Sequence, residues 1–396
     1  MDLDYGSGYE NFRQSVRAFL EKNRLPDAPQ GEREFRQRAV EAGFVHRAVP
    51  RRYGGSEQPA DPIEAQIIRE EFARARAPAE APGNANGPRM VVPTLLQWGT
   101  EEQKRHFIPP TLTGEYLWAQ GYSEPNAGSD LAALRTRGEL VGAEWVINGQ
   151  KIWSSLAHQC NFLFALVRTE PAAPKHDGLS YLLLDMRQPG VKVRRVKQIT
   201  GGAQFCEIFL DDARTPASWL VGTRGRGWEV SRTTLQHERT GIGGADVLAL
   251  FDKLVALARS TRRQGRCALE DPVIQERLVS LEARVRSLAY SSYRAFSMRS
   301  QNQDPGVIEL MTKLILTHIN HEVAALARDL MGEHFMLAPL EAQSAPANIR
   351  ASGPQKWNNL FMGSLALGMG GGTSNIQRNI IAERGLGLPR DPAHRS

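Results

Sequence analysis

The chain has 396 residues, of which 41% are hydrophobic, and it carries a formal net charge of +6. This length suffices for about two or three domains with a sizeable core. The basic excess is spread out and forms no tract interleaved with aromatic residues. It therefore argues against nucleic-acid binding and fits a polyphosphate ligand or a solvated basic surface.

The amino-terminal residues Met1 to Glu10 carry acids and glycines rather than a basic segment followed by an apolar one. They do not read as a secretory signal, and no run reaches the roughly 18 apolar residues of a membrane span. Cys160, Cys206 and Cys267 are scattered and form neither a disulfide framework nor a Cys-x-x-Cys pair. We therefore expect a cytoplasmic protein.

Residues 9 to about 113 are predicted to be helical. Apolar side chains recur at helical spacing from Phe12 and Val16 onward. Further along, Thr100 can cap a helix and Gln103 can complete its capping box. The stretch 78–88, rich in Ala, Pro, Gly and Asn, is predicted to be a loop.

From Glu115 to about Leu220, short β-branched and aromatic runs alternate with turns. No helix-length pattern intervenes, which favours an all-β domain over a βαβ sheet. Within it, the dipeptide Asn148-Gly149 is a strong hairpin signal. It predicts a turn between strands at 145–147 and 151–153.

From Trp228 onward the pattern is helical again, with long amphipathic segments that include Val307 to Leu330. Such helices indicate a bundle. A polar stretch at 338–356 is predicted to be a loop, and the last helix is expected from about Ser374 to Glu383.

The loop from Gln120 to Asp130 gathers Pro, Gly and small hydroxyls directly after a strand-like run. Gly and Ser add little bulk, so a flat polar ligand can approach the main chain there. A plain turn between strands also fits this loop taken alone. The stretch resembles the signature of the acyl-CoA dehydrogenase family, in which it lines the flavin of FAD and the thioester of the substrate.

The order of helices, β domain and helices is also similar to that family, over nearly the whole chain. The resemblance implies an α+β multi-domain fold with an amino-terminal all-α domain at 1–114. A central antiparallel β-barrel or sandwich domain would follow at 115–225. A carboxy-terminal four-helix bundle would occupy 226–396.

The resemblance implies two halves of a flavin site. In the first, three loop positions would line the isoalloxazine ring: Gln120, Tyr122 and Ser123. Ser129 would lie along the thioester. In the second half, Trp153 and Ser155 would contact the ring system, although Trp153 taken alone could be a core aromatic.

The adenine end matches the family less well. The family has an Arg-x-x-Phe-Gly stretch after the first bundle helix, whereas this chain has 262–266 without the Phe. Arg262 could meet the pyrophosphate, and a solvated basic turn fits as well. Thr373 and Asn375, at a glycine-led helix start that suits an anion, are further cofactor-binding candidates.

The catalytic base raises a specific question. Many family members carry a Glu where this chain has Gly371, which keeps only the backbone N–H that would donate to the thioester oxygen. Isovaleryl-CoA and long-chain dehydrogenases instead carry a Glu before an Arg on another helix. Glu238 and Arg239 match that arrangement, so Glu238 is the predicted base and Arg239 a substrate-binding candidate. A helix-start carboxylate or a surface ion pair is the alternative for Glu238.

Three glycines in the stretch 241–244 follow at once. Each costs a helix interior about 1 kcal/mol relative to Ala, so they indicate a break or a need for space. If the helix continues, Gly243 would widen the acyl pocket for a branched or bulky group. The combination also resembles bacterial dehydrogenases of steroid side chains or aromatic compounds.

The predicted activity is FAD-dependent α,β-dehydrogenation of an acyl-CoA to the 2-enoyl-CoA. The family implies an electron-transfer flavoprotein as acceptor and a homodimer or homotetramer. Three alternatives stay open: a non-catalytic or half-site subunit of an α2β2 hetero-oligomer, a flavin oxidase or monooxygenase, and a dehydrogenase of carrier-protein thioesters. His318, His321 and Glu322 lie at helical spacing but match no zinc motif, so no metal is predicted.

Overall fold

The computed structural model describes residues 6–23, 29–79, 86–240, 245–301, 303–336 and 354–389. The chain divides into two compact units, Met1–Val196 with Phe205–Glu238 and Lys197–Gln204 with Arg239–Ser396. Most of the loop predicted at 338–356 and the centre of that at 78–88 lie outside the described residues. No helix of the described part is long and apolar enough to cross a membrane.

The amino-terminal part of the first unit is helical, as predicted. Its helices are α1 (Ser7–Lys22), α2 (Pro29–Glu41), α3 (Pro62–Ala75), α4 (Val92–Trp98) and α5 (Glu101–Thr113). The capping box predicted for α5 is present, with the Thr100 hydroxyl accepting from the Gln103 N–H and the Gln103 side chain accepting from the Thr100 N–H. The local sequence therefore sets where this helix begins.

One sheet follows these helices. Its strands are β1 (Trp118–Gly121), β2 (Arg137–Val141), β3 (Glu144–Ser155), β4 (Phe162–Arg168), β5 (Leu179–Asp185), β6 (Val191–Val196), β7 (Phe205–Pro216) and β8 (Leu220–Val221). Their order is β6-β7-β3-β2-β4-β5-β8, with β1 beside β4. Both β1 and β2 run parallel to β4, whereas the remaining pairs are antiparallel. In the described part of the chain the sheet is thus mixed and not a closed barrel.

The central strands β4 and β5 are buried on both faces. Alternate residues point to opposite sides of a strand, so each strand feeds two cores. Phe162, Phe164 and Tyr181 join a core with the helices α4 and α5. Leu163 and Leu182 join a second core with β3 and β7.

The hairpin predicted at Asn148-Gly149 is wrong, because β3 runs unbroken through both residues. β3 pairs with β2 on one side and β7 on the other. The Asn148 side chain donates to Asp212 Oδ1 and accepts from the Asp212 N–H, both at 2.9 Å. A ladder on both edges therefore outweighs the local turn preference, and only a register shift between Ile147 and Gly149 remains.

Helix α6 (Gly227–Thr240) follows the sheet. The second unit then contains α7 (Ala245–Ser260), α8 (Pro272–Ser300), α9 (Val307–Met331), α10 (Pro354–Leu367) and α11 (Ser374–Ile380), with a two-stranded ribbon at Arg262–Arg263 and Arg266–Cys267. Helices α7 to α10 share one apolar core, which includes Phe251, Leu281, Val323 and Trp357. The predicted helical bundle is confirmed, and it contains the predicted long helix from Val307.

Replacing Gly149 by Ala tests the close packing at this point of β3. A β-carbon there would lie 2.4 Å from Thr136 Oγ1 and 2.7 Å from its Cα, so the strands must shift. We expect the substitution to lower the free energy of unfolding by about 1–3 kcal/mol, the usual cost of overpacking. Gly8→Ala is the control, because its β-carbon meets nothing within 4 Å. Equal unfolding midpoints in urea for the two variants would contradict this account of Gly149.

Candidate functional site

Three backbone carbonyls of the segment 120–123 are bound by donors from β3. Ser154 Oγ donates to the Gln120 oxygen at 2.7 Å, and the Ile152 N–H donates to the Ser123 oxygen at 2.9 Å. Lys151 Nζ donates to the Tyr122 oxygen at 3.2 Å. The structure therefore brings together the two stretches that the sequence assigned to a flavin.

A buried ion pair strengthens this connection. Lys151 Nζ lies 2.9 Å from Glu124 Oε1, and the two side chains are 0% and 9% exposed. Glu124 also accepts the N–H groups of Arg135 at 2.7 Å and Thr136 at 2.8 Å. Burying each charge costs on the order of several kcal/mol, and these hydrogen bonds offset part of that cost. The pair fixes the loop after β1 against the middle of β3.

Both groups of the pair are perturbed by burial. Burial raises the pKa of Glu124, but the charge of Lys151 and the surrounding N–H donors outweigh it and hold the pKa below its usual value. Burial lowers the pKa of Lys151 to about 8, against the opposing attraction of Glu124. Each charge of the pair therefore stabilises the other against the cost of burial.

Trp153 stands out on the same strand. Its φ is 64°, in the left-handed region that costs a residue with a β-carbon roughly 1–2 kcal/mol. The register of β3 against β7 shifts between Lys151 and Ser154, so Trp153 lies on a bulge. Its side chain is 57% exposed and meets Phe205 edge-on at 6.0 Å. A strained backbone that presents a large aromatic surface is typical of a binding site.

The remaining predicted residues of this region differ in setting. Ser155 and Ser129 are exposed, and Ser123 is half-buried. Tyr122 is only 4% exposed, so its side chain lies in the core rather than on the surface that Trp153 occupies. Glu124 and Ala127 exchange backbone hydrogen bonds at 3.0 Å, which closes the turn before Ser129.

Glu238 lies in α6, three residues after Leu235 and close to the helix end at Thr240. The side chains of Glu238 and Arg239, and all of Gly243, lie outside the described residues. Their assigned roles therefore stay predictions. What the structure shows is the backbone of α6, which belongs to the first unit together with 120–123 and β3.

The second unit carries the glycine loop before α11. Gly371 has φ 65°, which a residue with a β-carbon adopts only with strain. Lys313 Nζ donates to the carbonyl oxygens of Leu367 at 2.9 Å and Gly372 at 2.8 Å. Gln377 Nε2 donates to the Gly371 oxygen at 3.0 Å. The loop is thereby held on both sides of Gly371.

The other candidates of the second unit lie near helix and ribbon ends. Thr373 caps α11 by accepting from the Ile376 N–H, and Asn375 accepts from Arg378. Arg262 is exposed at the start of the ribbon, whose turn is Gln264-Gly265 with φ 50° and 80°. An exposed arginine there suits either a phosphate contact or a solvated turn.

Two histidines of α9 line an open pocket in the second unit. The pocket has a volume of about 290 Å³, and His318, His321 and Ser364 are among its lining residues. His321 Nδ1 lies 2.9 Å from Ser364 Oγ, and Glu322 pairs with Arg284. Among the described residues, no group of three or more His, Cys, Asp or Glu side chains could hold a metal.

The residues of the first unit fit a flat, polar-edged ring. The exposed indole of Trp153 offers an aromatic face, and Ser123 and Ser155 offer hydroxyl groups. The carbonyls of 120, 122 and 123 are already bound by β3, so the backbone cannot rearrange freely around a ligand. The surface formed by Trp153, Ser123 and Ser155 is thus preorganised by the hydrogen bonds between 120–123 and β3.

The fold and these motifs define a class. Residues 8–115, 119–213 and 225–386 match the N-terminal, middle and C-terminal domains of acyl-CoA dehydrogenases, respectively. The chain belongs to the acyl-CoA dehydrogenase family. It is an oxidoreductase that acts on acyl-CoA, and its family consists of flavoproteins that typically use FAD.

Individual relatives cover nearly the whole chain. Acyl-CoA dehydrogenase IpdE1 of Mycobacterium tuberculosis is 38% identical over 96% of this chain and 98% of its own length. IpdE1 of Mycolicibacterium smegmatis is 36% identical over the same shares. Among solved structures, the Tcur3481-Tcur3483 steroid ACAD has a TM-score of 0.78 at 27% identity, covering 99% of this chain and 100% of that one. The ChsE4-ChsE5 complex from Mycobacterium tuberculosis gives 0.77 and 27% at the same coverage.

The sequence predictions overlooked residues that organise the site. Lys151 lies at an inward position of β3, in line with Trp145 and Ile147. A lysine at an inward-facing position of a strand indicates a buried acidic partner. Glu124 is one of the acidic residues of the loop 120–130 that could have been named as that partner. Lys313 gave no comparable signal, because its carbonyl partners lie far along the chain.

Replacing Glu124 by Gln tests the ion pair. The substitution leaves the buried Lys151 charge uncompensated, so we expect a loss of about 3–5 kcal/mol in the free energy of unfolding. Glu139→Gln is the matched control, because its pair with Arg137 is exposed and should change stability by less than about 0.5 kcal/mol. Urea unfolding of both variants measures the difference, and comparable losses would show that the pair does not hold the loop.

Proposed function

We propose that this protein is an FAD-dependent dehydrogenase that converts a branched or bulky acyl-CoA to its 2-enoyl-CoA. The observation that carries the proposal is the exposed Trp153 on a left-handed bulge beside a segment whose carbonyls β3 has fixed. Bound FAD supplies an acceptor for the β-hydride. The similarity to steroid dehydrogenases supports a bulky acyl group.

The protein's own residues have two tasks in this reaction. A base must remove the α-proton, and a donor must stabilise the negative charge that develops on the thioester oxygen. Glu238 is the proposed base. The Gly371 N–H is the proposed donor, on a loop that Lys313 and Gln377 hold in place. Gly371 itself has no carboxylate, which supports the proposal of a base at another position, Glu238 on α6.

Glu238→Gln tests the base. Removing a general base slows its step by about 10²- to 10⁴-fold, so anaerobic bleaching of the flavin by a saturating acyl-CoA should slow by that factor. Glu229→Gln is the control on the same helix, because Glu229 pairs with Arg226 near the helix start. Bleaching at the wild-type rate in the Glu238 variant would refute the base assignment.

A second substitution tests the width of the acyl pocket. If the missing side chain at Gly243 makes room for the substrate, Gly243→Leu should slow turnover of ring-bearing acyl-CoAs more than that of short straight-chain ones. We expect the losses in kcat/KM to differ by about 10-fold or more between the two classes of substrate, because filling a pocket by a few methylenes changes kcat/KM by at least that factor. Equal losses for both classes would refute the pocket.

A half-site subunit is the second candidate. It is favoured by the glycine at 371, by the missing Phe in 262–266, and by structural relatives that are named as two-protein assemblies. In that case the chain would form an α2β2 hetero-oligomer rather than a homodimer or homotetramer. The flavin content per chain would separate the two candidates. It would be measured after purification of this chain alone and after its coexpression with a second chain of the acyl-CoA dehydrogenase family.

The acceptor is proposed to be an electron-transfer flavoprotein. A dehydrogenase passes its electrons to such a partner, whereas an oxidase would release peroxide without an added acceptor. Peroxide formation during turnover in air therefore distinguishes the two. Comparing anaerobic flavin bleaching by a carrier-protein thioester with that by the matching acyl-CoA would identify the carrier of the acyl group.

A further inference from the structure

Three buried hydroxyl groups from three separate elements meet inside the first unit. Thr94 comes from α4, Tyr181 from β5 and Thr234 from α6. Each residue is at most 4% exposed. Thr94 Oγ1 lies 2.9 Å from Thr234 Oγ1, and Thr234 Oγ1 lies 3.4 Å from the Tyr181 hydroxyl. The ring of Tyr122 lies edge-on to that of Tyr181, with their centroids 6.4 Å apart.

The cluster is uncharged and well connected. Burial raises the pKa of Tyr181, so its phenol stays protonated. Thr94 Oγ1 also lies 2.7 Å from the Met90 carbonyl oxygen, which gives the cluster an acceptor in the main chain. The surrounding core is apolar and includes Phe164 and Val230. In such a setting hydrogen bonds have fixed partners, because no water competes for them.

Apolar packing alone leaves a helix some freedom to slide or rotate on a sheet, whereas hydrogen bonds specify one arrangement. Helix α6 receives two such bonds in adjacent residues. Thr234 joins the cluster, and Thr233 accepts from Trp98 Nε1 at 2.9 Å. Both tie α6 to α4, and Thr234 ties it to β5 as well.

These bonds lie next to the proposed base. Thr234 precedes Glu238 by four residues, which is about one turn of the same helix. On the other side, the ring of Tyr122 packs edge-on against Tyr181, and Tyr122 belongs to the segment that β3 holds beside Trp153. The cluster therefore links the backbone that carries Glu238 to the segment proposed to meet the flavin.

We propose that Thr234 and Tyr181 are positioning residues. They fix α6 on the sheet so that the backbone at Glu238 is held where proton abstraction requires it. This inference rests on the proposed function. Val at position 234 and Phe at position 181 would occupy the same space but could not form the hydrogen bonds that position α6.

Thr234→Val removes one hydroxyl while keeping the size and branching of the side chain. Misplacing a catalytic group by about 1 Å can cost up to about 10²-fold in rate, so we expect flavin bleaching at saturating acyl-CoA to slow by about 10-fold or more. The acyl-CoA concentration at half saturation should stay within about twofold of wild type, because the thioester-binding residues are untouched. Thr234→Ser, which restores the hydroxyl, should recover most of the rate.

Hydrogen exchange provides a readout that needs neither flavin nor substrate. In Thr234→Val the amides of 235–240 should exchange about 10-fold faster than in wild type, because opening of the helix end becomes easier. Thr215→Val is the matched control. Thr215 is 1% exposed and donates to the Leu183 carbonyl oxygen at 2.6 Å, outside the cluster. It should leave both the exchange of 235–240 and the bleaching rate unchanged.

Tyr181→Phe is the second test, in case Thr234→Val fails to fold. It keeps the ring and removes the hydroxyl that accepts from Thr234, and the same slower bleaching and faster exchange are expected. Unchanged exchange in 235–240, or a wild-type bleaching rate, in a folded Thr234→Val or Tyr181→Phe protein would overturn the proposal. If Glu238→Gln bleaches normally, the base assignment fails instead. The two failures are therefore distinguishable.

Discussion

The first unit depends on one buried interaction, the ion pair between Lys151 and Glu124. Lys151 binds both the carboxylate of Glu124 and the carbonyl oxygen of Tyr122, so a single ammonium group joins β3 to two residues of the signature loop. A charge buried this completely is tolerated only with full pairing. The pair therefore holds the loop against β3, and Trp153 lies two residues further along the same strand. This is the kind of preorganisation on which a binding site depends.

The bulge at Trp153 follows from the same arrangement. Lys151 must point inward to reach Glu124, and Ser154 must point inward to reach the Gln120 oxygen. Strict alternation cannot place residues three apart on one face of a strand. An extra residue between them resolves the conflict, and that residue is Trp153, left exposed in the left-handed region. The strain of the bulge and the exposure of the indole thus have a common cause in the inward-facing donors.

The sequence was informative where the signal was local or was carried by a motif. The Thr100 capping box and the long helix from Val307 were predicted because neighbouring residues determine them. The family motifs pointed to Gln120, Ser123 and Trp153, and the structure brings these stretches together, whereas their roles toward a flavin stay predictions. The Asn148-Gly149 turn was mispredicted because its competitor is a ladder on both edges of β3, and the β7 side of that ladder lies over 60 positions away. The hydroxyl cluster could not be predicted, since Thr94 and Thr234 are 140 residues apart and an isolated threonine carries no sign of its partner.

Two kinds of buried polar contact therefore have different roles in this unit. The charged pair fixes the loop firmly, because losing either partner leaves an expensive isolated charge. The hydroxyl cluster around Tyr181 holds α6 with neutral bonds, each contributing only about 1 kcal/mol. Neutral bonds also avoid placing a fixed charge on the helix turn before Glu238, the proposed base. A cation in the place of Thr234 would lower the basicity of a nearby glutamate, whereas a hydroxyl would position the helix with little effect on it. That difference gives a physical reason for holding the helix of the proposed base with threonine and tyrosine.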